Sequence, residues 1–346
     1  MSSRLGALAL AAALALPAFA QTETRMIRGT SVAIYNLAGA MRAEPGSGGD
    51  VVVEITRKGA DAAKLRVDTG QIRNRSTLRV IYPSDRIVYP DMRGHSRTSL
   101  SVREDGTFSD GWNDRHDRVD IRSYGPGLEA YADVVVRIPR GQKIELYLGV
   151  GRMDVVNVEG DLFVDVASAT VEVTGTKGNL TLDTGSGRVS VRNVSGNLNI
   201  DTGSGGLTLD SVKGDILRLD SGSGGVQASD VDVRELKADI GSGGLRMYRT
   251  KAADINVETG SGGLTLELLS IFDKLVAETG SGGVTVRAPA ALGAEVDVET
   301  GSGGFQTDFE ITTRRFGRNH VAGRIGDGKA SVRIEAGSGS VRLLKS

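Results

Sequence analysis

Asp201-Thr202-Gly203-Ser204-Gly205-Gly206-Leu207-Thr208-Leu209-Asp210-Ser211-Val212-Lys213-Gly214-Asp215-Ile216-Leu217-Arg218-Leu219 is one unit of a repeat. The Gly-Ser-Gly string at its start returns with first glycines at Gly185, Gly203, Gly222, Gly241, Gly260, Gly280 and Gly301, steps of 18, 19, 19, 19, 20 and 21 residues. Self-similarity at that period is the mark of a solenoid, in which each unit buries its apolar face against its neighbours. Two eroded copies, Gly149-Val150-Gly151 and Ala167-Ser168-Ala169, precede the series, and Gly337-Ser338-Gly339 follows after a longer gap.

Within the unit, Leu207 and Leu209 flank Thr208, and the same alternation recurs at Val189/Val191, Leu264/Leu266 and Val284/Val286. A period of two is the pattern of a half-buried strand. Leu162/Val164, Leu180/Leu182, Leu198/Ile200 and Ile255/Val257 form a second alternating strand, reached through a turn at Gly160, Gly178, Gly196 or Gly214. Two strands and two turns fill the period and leave no room for a helix. The reading is all-β: a parallel β-solenoid with about 18 to 21 residues per coil, each coil adding about 4.8 Å. Glycine is expected at the turns because it takes positive φ without a Cβ clash.

The first twenty residues have the form of a secretory signal: Arg4, an apolar stretch from Leu5 to Leu16, Pro17, then Ala18-Phe19-Ala20 as a cleavage site. The mature chain is expected to start at Gln21, in the periplasm or outside the cell, with no transmembrane segment after cleavage. There is no cysteine, which excludes disulfides, thiolate metal sites and a cysteine nucleophile. With 42 Lys and Arg against 43 Asp and Glu, well mixed, the net charge of −1 gives no support for nucleic acid as a partner.

Two residues before each turn, from the second coil onward, stands an acid: Asp165, Asp183, Asp201, Asp220, Asp239, Glu258, Glu278, Glu299 and Glu335. Alternation puts them outside, and stacking puts neighbours within repulsive range, on the order of 1 kcal/mol per pair in water. Two readings follow. In one, each carboxylate accepts hydrogen bonds from amides of the adjacent glycine turn and is otherwise solvated. In the other, the row is a ligand or cation edge, although the loops lack the interior aspartates of a calcium-binding roll.

Other motifs fail on context. Phosphate-binding glycine loops need a following helix, and here each glycine cluster is followed by another strand. The G-x-S-x-G elbow is absent, and His95, His116 and His320 are scattered. The stretch from Ser84 to Ala130 breaks the repeat and carries Trp112, Asp114, His116 and Asp117, read either as a hydrophilic surface hairpin with one aromatic anchor or as a ligand site on an insertion. Neither a cofactor nor a metal is called for, and no coil is singled out as catalytic. A polysaccharide-active β-helix enzyme, a lyase or hydrolase, is the competing class.

Several segments resemble a known group. Val32 to Gly39 with Val51 to Arg57, Ala132 to Gly141, the Gly-Asp/Asn turns at Gly160-Asp161, Gly178-Asn179 and Gly196-Asn197, and Gly323 to Leu343 are similar to the bacterial putative-adhesin family of exported parallel β-repeat proteins, whose domain is of unknown function. The resemblance implies a right-handed β-solenoid outside the cytoplasm and carries no catalytic residues. The organisation expected is a signal peptide at 1–20, an N-terminal β region at 21–145 with its insertion at 84–130, and the regular array at 146–346. Within the array, Thr313 to Arg324 is read as a cover for the end of the rod. The function expected is that of a non-enzymatic adhesin or envelope scaffold, binding an envelope polysaccharide or protein.

Overall fold

The computed structural model describes residues 21–92, 94–109 and 117–346; the expected signal peptide and Trp112, Asp114 and His116 lie outside the described residues. Among the described residues no helix is long and apolar enough to cross a membrane.

The chain is a parallel β-solenoid with two sheets around one core. Three 15-residue strands, Ser31–Pro45, Gln142–Val156 and Gly160–Thr174, run through both sheets and stack in register. From Leu180–Ser186 and Val189–Ser195 onward each coil is divided in two at the glycine corner. Leu180, Leu198, Leu217, Leu236, Ile255 and Leu275 then align in the first sheet, and Val189, Leu207, Val226, Leu245, Leu264 and Val284 in the second. All these side chains are at most 2% exposed, so the period-two pattern fills a single apolar interior along the rod.

The glycines at the corner are demanded mainly by crowding. A Cβ on Gly224 would lie 1.6 Å from the carbonyl oxygen of Gly205, one on Gly243 1.9 Å from that of Gly224, and one on Gly262 1.8 Å from that of Gly243. Positive φ, the expected reason, holds in the Gly-Ser-Gly series only at Gly187 (+128°) and Gly205 (+131°). Stacked coils bring one corner's backbone onto the next, and that close approach is what excludes a side chain.

The second strand of each coil carries a bend that the repeat pattern does not disclose. Asn157, Gly175, Asn193, Ser211, Asp230 and Arg249 occupy the left-handed region in succession, with φ between 50° and 72°. Asn, Asp and Gly take this conformation at little cost. Ser211 and Arg249 are the exceptions, and Arg249 Nε donates to Asp230 Oδ1 in the preceding coil at 2.8 Å.

At the C-terminal end the order of coils departs from the order of sequence. Ala330–Ala336 lies between Lys274–Thr279 and Ala294–Thr300, parallel to both, and Val341–Lys345 lies between Val284–Ala288 and Phe305–Thr307. The chain thus passes over one coil position and returns to fill it. Between the two passes, His320–Ile325 pairs antiparallel with the outer edge of Ala294–Thr300, and Thr312–Phe316 pairs with His320–Ile325. This hairpin spans the segment Thr313 to Arg324 and lies along the edge of Ala294–Thr300.

At the other end, Arg75–Ile81 and Tyr131–Ile138 extend Ser31–Pro45 in parallel, and antiparallel strands finish both sheets. The insertion is more than a hairpin: Arg86–Val88, Arg97–Val102 and Asp117–Arg122 form a separate three-stranded sheet. Its Phe108, 1% exposed, meets the outward-facing Tyr35 edge-on at 5.7 Å, and Tyr35 stacks on Tyr147 at 4.3 Å. The two tyrosines are outward by alternation yet buried, because the insertion lies over them.

Candidate functional site

The nine acids form one continuous register on the outward face of the first sheet. Tyr35 aligns with Tyr147, Tyr147 with Asp165, and then Asp183, Asp201, Asp220, Asp239, Glu258 and Glu278 follow strand by strand. Glu278 aligns with Glu335, and Glu335 with Glu299, so the last two members stand in reversed sequence order. The buried tyrosine stack closes the ladder at one end, and the hairpin overhangs it at the other.

The turn amides do not hold these carboxylates. Among the described residues, Asp183, Asp201, Asp220, Asp239, Glu258 and Glu278 have no hydrogen-bond or ion-pair partner. At Ser221, Thr259 and Thr279 the residue after the acid, which points inward, serves the turn instead. Thr259 Oγ1 donates to Gly243 O (2.9 Å) and accepts from Gly262 N (3.1 Å), and Thr279 does the same with Gly262 O (2.9 Å) and Gly282 N (3.0 Å). Ser221 Oγ donates to Gly224 O at 3.1 Å. Of the two readings, hydrogen bonding to the turn amides does not hold at these six acids: alternation turns the following side chain, a hydroxyl at Ser221, Thr259 and Thr279, to the turn's side of the sheet.

Left without a partner, the carboxylates act on one another. Burial, and then the charge of Asp201, raises the pKa of Asp183; burial, followed by Asp201 and Asp239, raises that of Asp220, with Lys237 opposing. Glu335 is the compensated member, accepting from Arg333 Nε at 2.8 Å.

At the C-terminal end the ladder opens into a cleft of about 670 Å³ lined by Glu258, Glu278, Glu299, Glu335, Arg315 and His320. His320 stands directly opposite Glu299 in the antiparallel pairing. Its Nε2 is 2.7 Å from Asp297 Oδ1 and its Nδ1 is 3.9 Å from Glu299 Oε1. Next along, Glu295 takes Arg324 Nε at 2.6 Å and is also paired with Arg314, which holds its carboxyl below the usual range.

Sequence reasoning passed over Asp297 and His320 as site residues. Alternation in His320–Ile325, with Val321 and Ile325 buried, gives His320 the outward parity, but nothing in the repeat says that this strand runs antiparallel along Ala294–Thr300. A shallow hollow of about 460 Å³ over Lys143, Glu145, Asp161, Phe163, Asn179 and Thr181 was likewise missed, though Phe163 is an aromatic at an outward position of an otherwise polar face. Of the insertion's candidate residues, Asp117 is exposed on Asp117–Arg122, at the rim of a cleft of about 680 Å³ with Arg66, Arg103 and Arg118.

The model of the Toastrack DUF4097 family matches residues 127–344. The chain belongs to that family. The matched span of this toastrack chain takes in the glycine-corner array and the whole carboxylate ladder, and it leaves the N-terminal strands, including Val32 to Gly39 and Val51 to Arg57, and most of the insertion outside. Among solved structures, a putative cell adhesion protein from Clostridium sporogenes is similar at 10% identity over 94% of this chain and 100% of that one. Its TM-score is 0.20, a likeness that carries no argument about fold or function. No curated protein matches the toastrack chain.

Proposed function

We propose that this chain is an exported, non-enzymatic binding or scaffolding protein of the cell envelope, an adhesin in the broad sense, that presents its carboxylate ladder to an envelope polysaccharide or protein. The supporting observation is the ladder itself: acids in unbroken register on a flat sheet, six of the nine without a hydrogen-bond or ion-pair partner among the described residues. Like charges so arranged cost stability, and a partner with spaced cationic groups, or a polyanion bridged by cations, relieves that cost on binding. Repeats of one chemistry along a rigid rod suit a polymer, which meets the same contact at each coil. The secretory-signal form of residues 1–20 supports a partner outside the cytoplasm.

Binding of the chain from Gln21 onward to an array of envelope polysaccharides and to solubilised envelope proteins tests the reading, with a variant in which Asp201, Asp220, Asp239 and Glu258 become the amides. Salt-sensitive binding that the variant loses is the expected result. Release of reducing sugar or unsaturated uronate from any of the same glycans overturns it in favour of a polysaccharide-active enzyme.

A further inference from the structure

The carboxylates of the ladder form a row and by themselves define no site; one position differs from all others because the hairpin brings an imidazole onto it. We infer that Asp297, Glu299 and His320 form a binding site for a divalent transition-metal ion of the zinc class, an inference independent of the partner proposed above.

The geometry is specific to this end of the rod. Asp297 and Glu299 are alternate residues of Ala294–Thr300 and share its outward face, and the antiparallel register sets His320 opposite Glu299. One donor atom from each of the three lies within 4.8 Å of the other two. Zinc takes nitrogen and oxygen donors at about 2.0 to 2.2 Å, so a shared ion requires the carboxylates to turn by about an ångström. They have that freedom, since the side chains of Asp297 and Glu299 are each 57% exposed, while that of His320 is only 21% exposed and is held on a paired strand. A fixed imidazole with two adjustable carboxylates is a three-ligand set that leaves coordination open toward the cleft.

The neighbours fit the assignment. Arg324 and Arg314 are committed to Glu295 and Arg333 pairs with Glu335, which leaves Arg315 as the further cation lining the cleft. Glu258 and Glu278, which line the same cleft without a hydrogen-bond or ion-pair partner among the described residues, add negative potential, opposed at Glu278 by the charge of Arg333. The donor set also selects the ion. Calcium takes six to eight oxygens and has little use for an imidazole, whereas nitrogen with carboxylate suits zinc and its first-row neighbours. The competing account is that the contact of His320 with Asp297 simply holds the hairpin down.

Isothermal titration of the untagged chain from Gln21 with zinc chloride and, in parallel, calcium chloride decides between them. One equivalent of zinc is expected to bind with a Kd on the order of micromolar. Asp297→Asn and His320→Gln are each expected to weaken it by at least about tenfold, with His95→Gln as the unaffected control. If His320→Gln disturbs the hairpin, Asp297→Asn, on an exposed position of the neighbouring strand, carries the test. Zinc binding no tighter than about 100 μM, or binding left intact by both variants, overturns the site. So does calcium binding of equal strength that survives His320→Gln, which would be the oxygen ladder acting without the imidazole.

Discussion

Gly337 is stacked between Gly280 and Gly301, although Gly301 precedes it in the repeat series: a Cβ on Gly337 would lie 2.2 Å from the Gly280 carbonyl oxygen, and one on Gly301 would lie 1.9 Å from that of Gly337. The last coil of the sequence is therefore an inner coil of the structure. Deleting residues 326–346 removes a coil from within the stack, leaving Phe305–Thr307 without its partner strand and Ala294–Thr300 with only the antiparallel His320–Ile325. Hydrogen exchange on that truncated chain should show residues 294–307 losing protection while Val226–Asp232 keeps it. Persistent protection of 294–307 would mean that this segment can dock directly on Lys274–Thr279, and that the inserted order is not required.

Crowding at the corner predicts a sharp contrast between adjacent glycines. Gly224→Ala places a methyl group against the Gly205 carbonyl and should cost about 3 kcal/mol, with Gly224→Val costing more. Gly206→Ala, with nothing within 4 Å of its Cβ, should stay within about 0.5 kcal/mol of the parent. Thermal melts of the three variants check this, and equal losses at Gly206 and Gly224 would refute the crowding account.

The ladder makes a prediction about pH. A carboxyl whose pKa is raised by folding is protonated more readily in the folded chain, so its ionisation costs stability as the pH climbs from the ordinary aspartate value of about 3.9 through the raised folded value. Asp183 and Asp220 are in that position. At pH 7 and low salt, Asp183→Asn and Asp220→Asn should each melt above the parent, by on the order of 0.5 to 1 kcal/mol. The gain should vanish below about pH 3.5, where the acids are neutral in both states, and shrink with added salt.

Asp120 in the insertion runs the opposite way. Ser99 and Arg97 together bring its pKa down to about 2, so its contribution is present above the ordinary carboxylate range and is lost as the pH falls toward 2. The insertion should thus loosen in acid while the ladder relaxes, and proteolysis within 94–109 at pH 2.5 against pH 7 measures the difference.

Phe108 fastens the insertion to the rod through Tyr35 and Tyr147. Phe108→Ala should cost about 3 kcal/mol of docking and speed cleavage between Arg97 and Asp120, with exchange protection in Leu207–Lys213 unchanged. If protection there falls as well, the insertion stabilises the array itself and is more than a passenger on it.

Much of this was legible in the residues. A period of about 19 with alternating Val, Leu and Ile can bury its apolar side only by stacking, so the solenoid, the two sheets and the register of the acid row followed from spacing. What the carboxylates bind to was misjudged, because the sequence shows an acid beside a turn but not which side of the sheet the turn's amides face; the inward Thr259 and Thr279 take that role. The left-handed bend at Asn193, Ser211, Asp230 and Arg249 left no common residue type to read. Even the motif is not sufficient, since Gly46-Ser47-Gly48-Gly49 lies outside the stack, in the turn after Ser31–Pro45.

By itself the sequence determined the coil, because a repeat fixes local contacts between each unit and the next. Only the tertiary structure decided which coil is next: Glu335 stands between Glu278 and Glu299, and His320 comes to face Glu299. The repeats carry nearly identical edges, so any coil can in principle stack on any other. The choice among them is made by the length of the excursion between them and by the antiparallel hairpin that holds it.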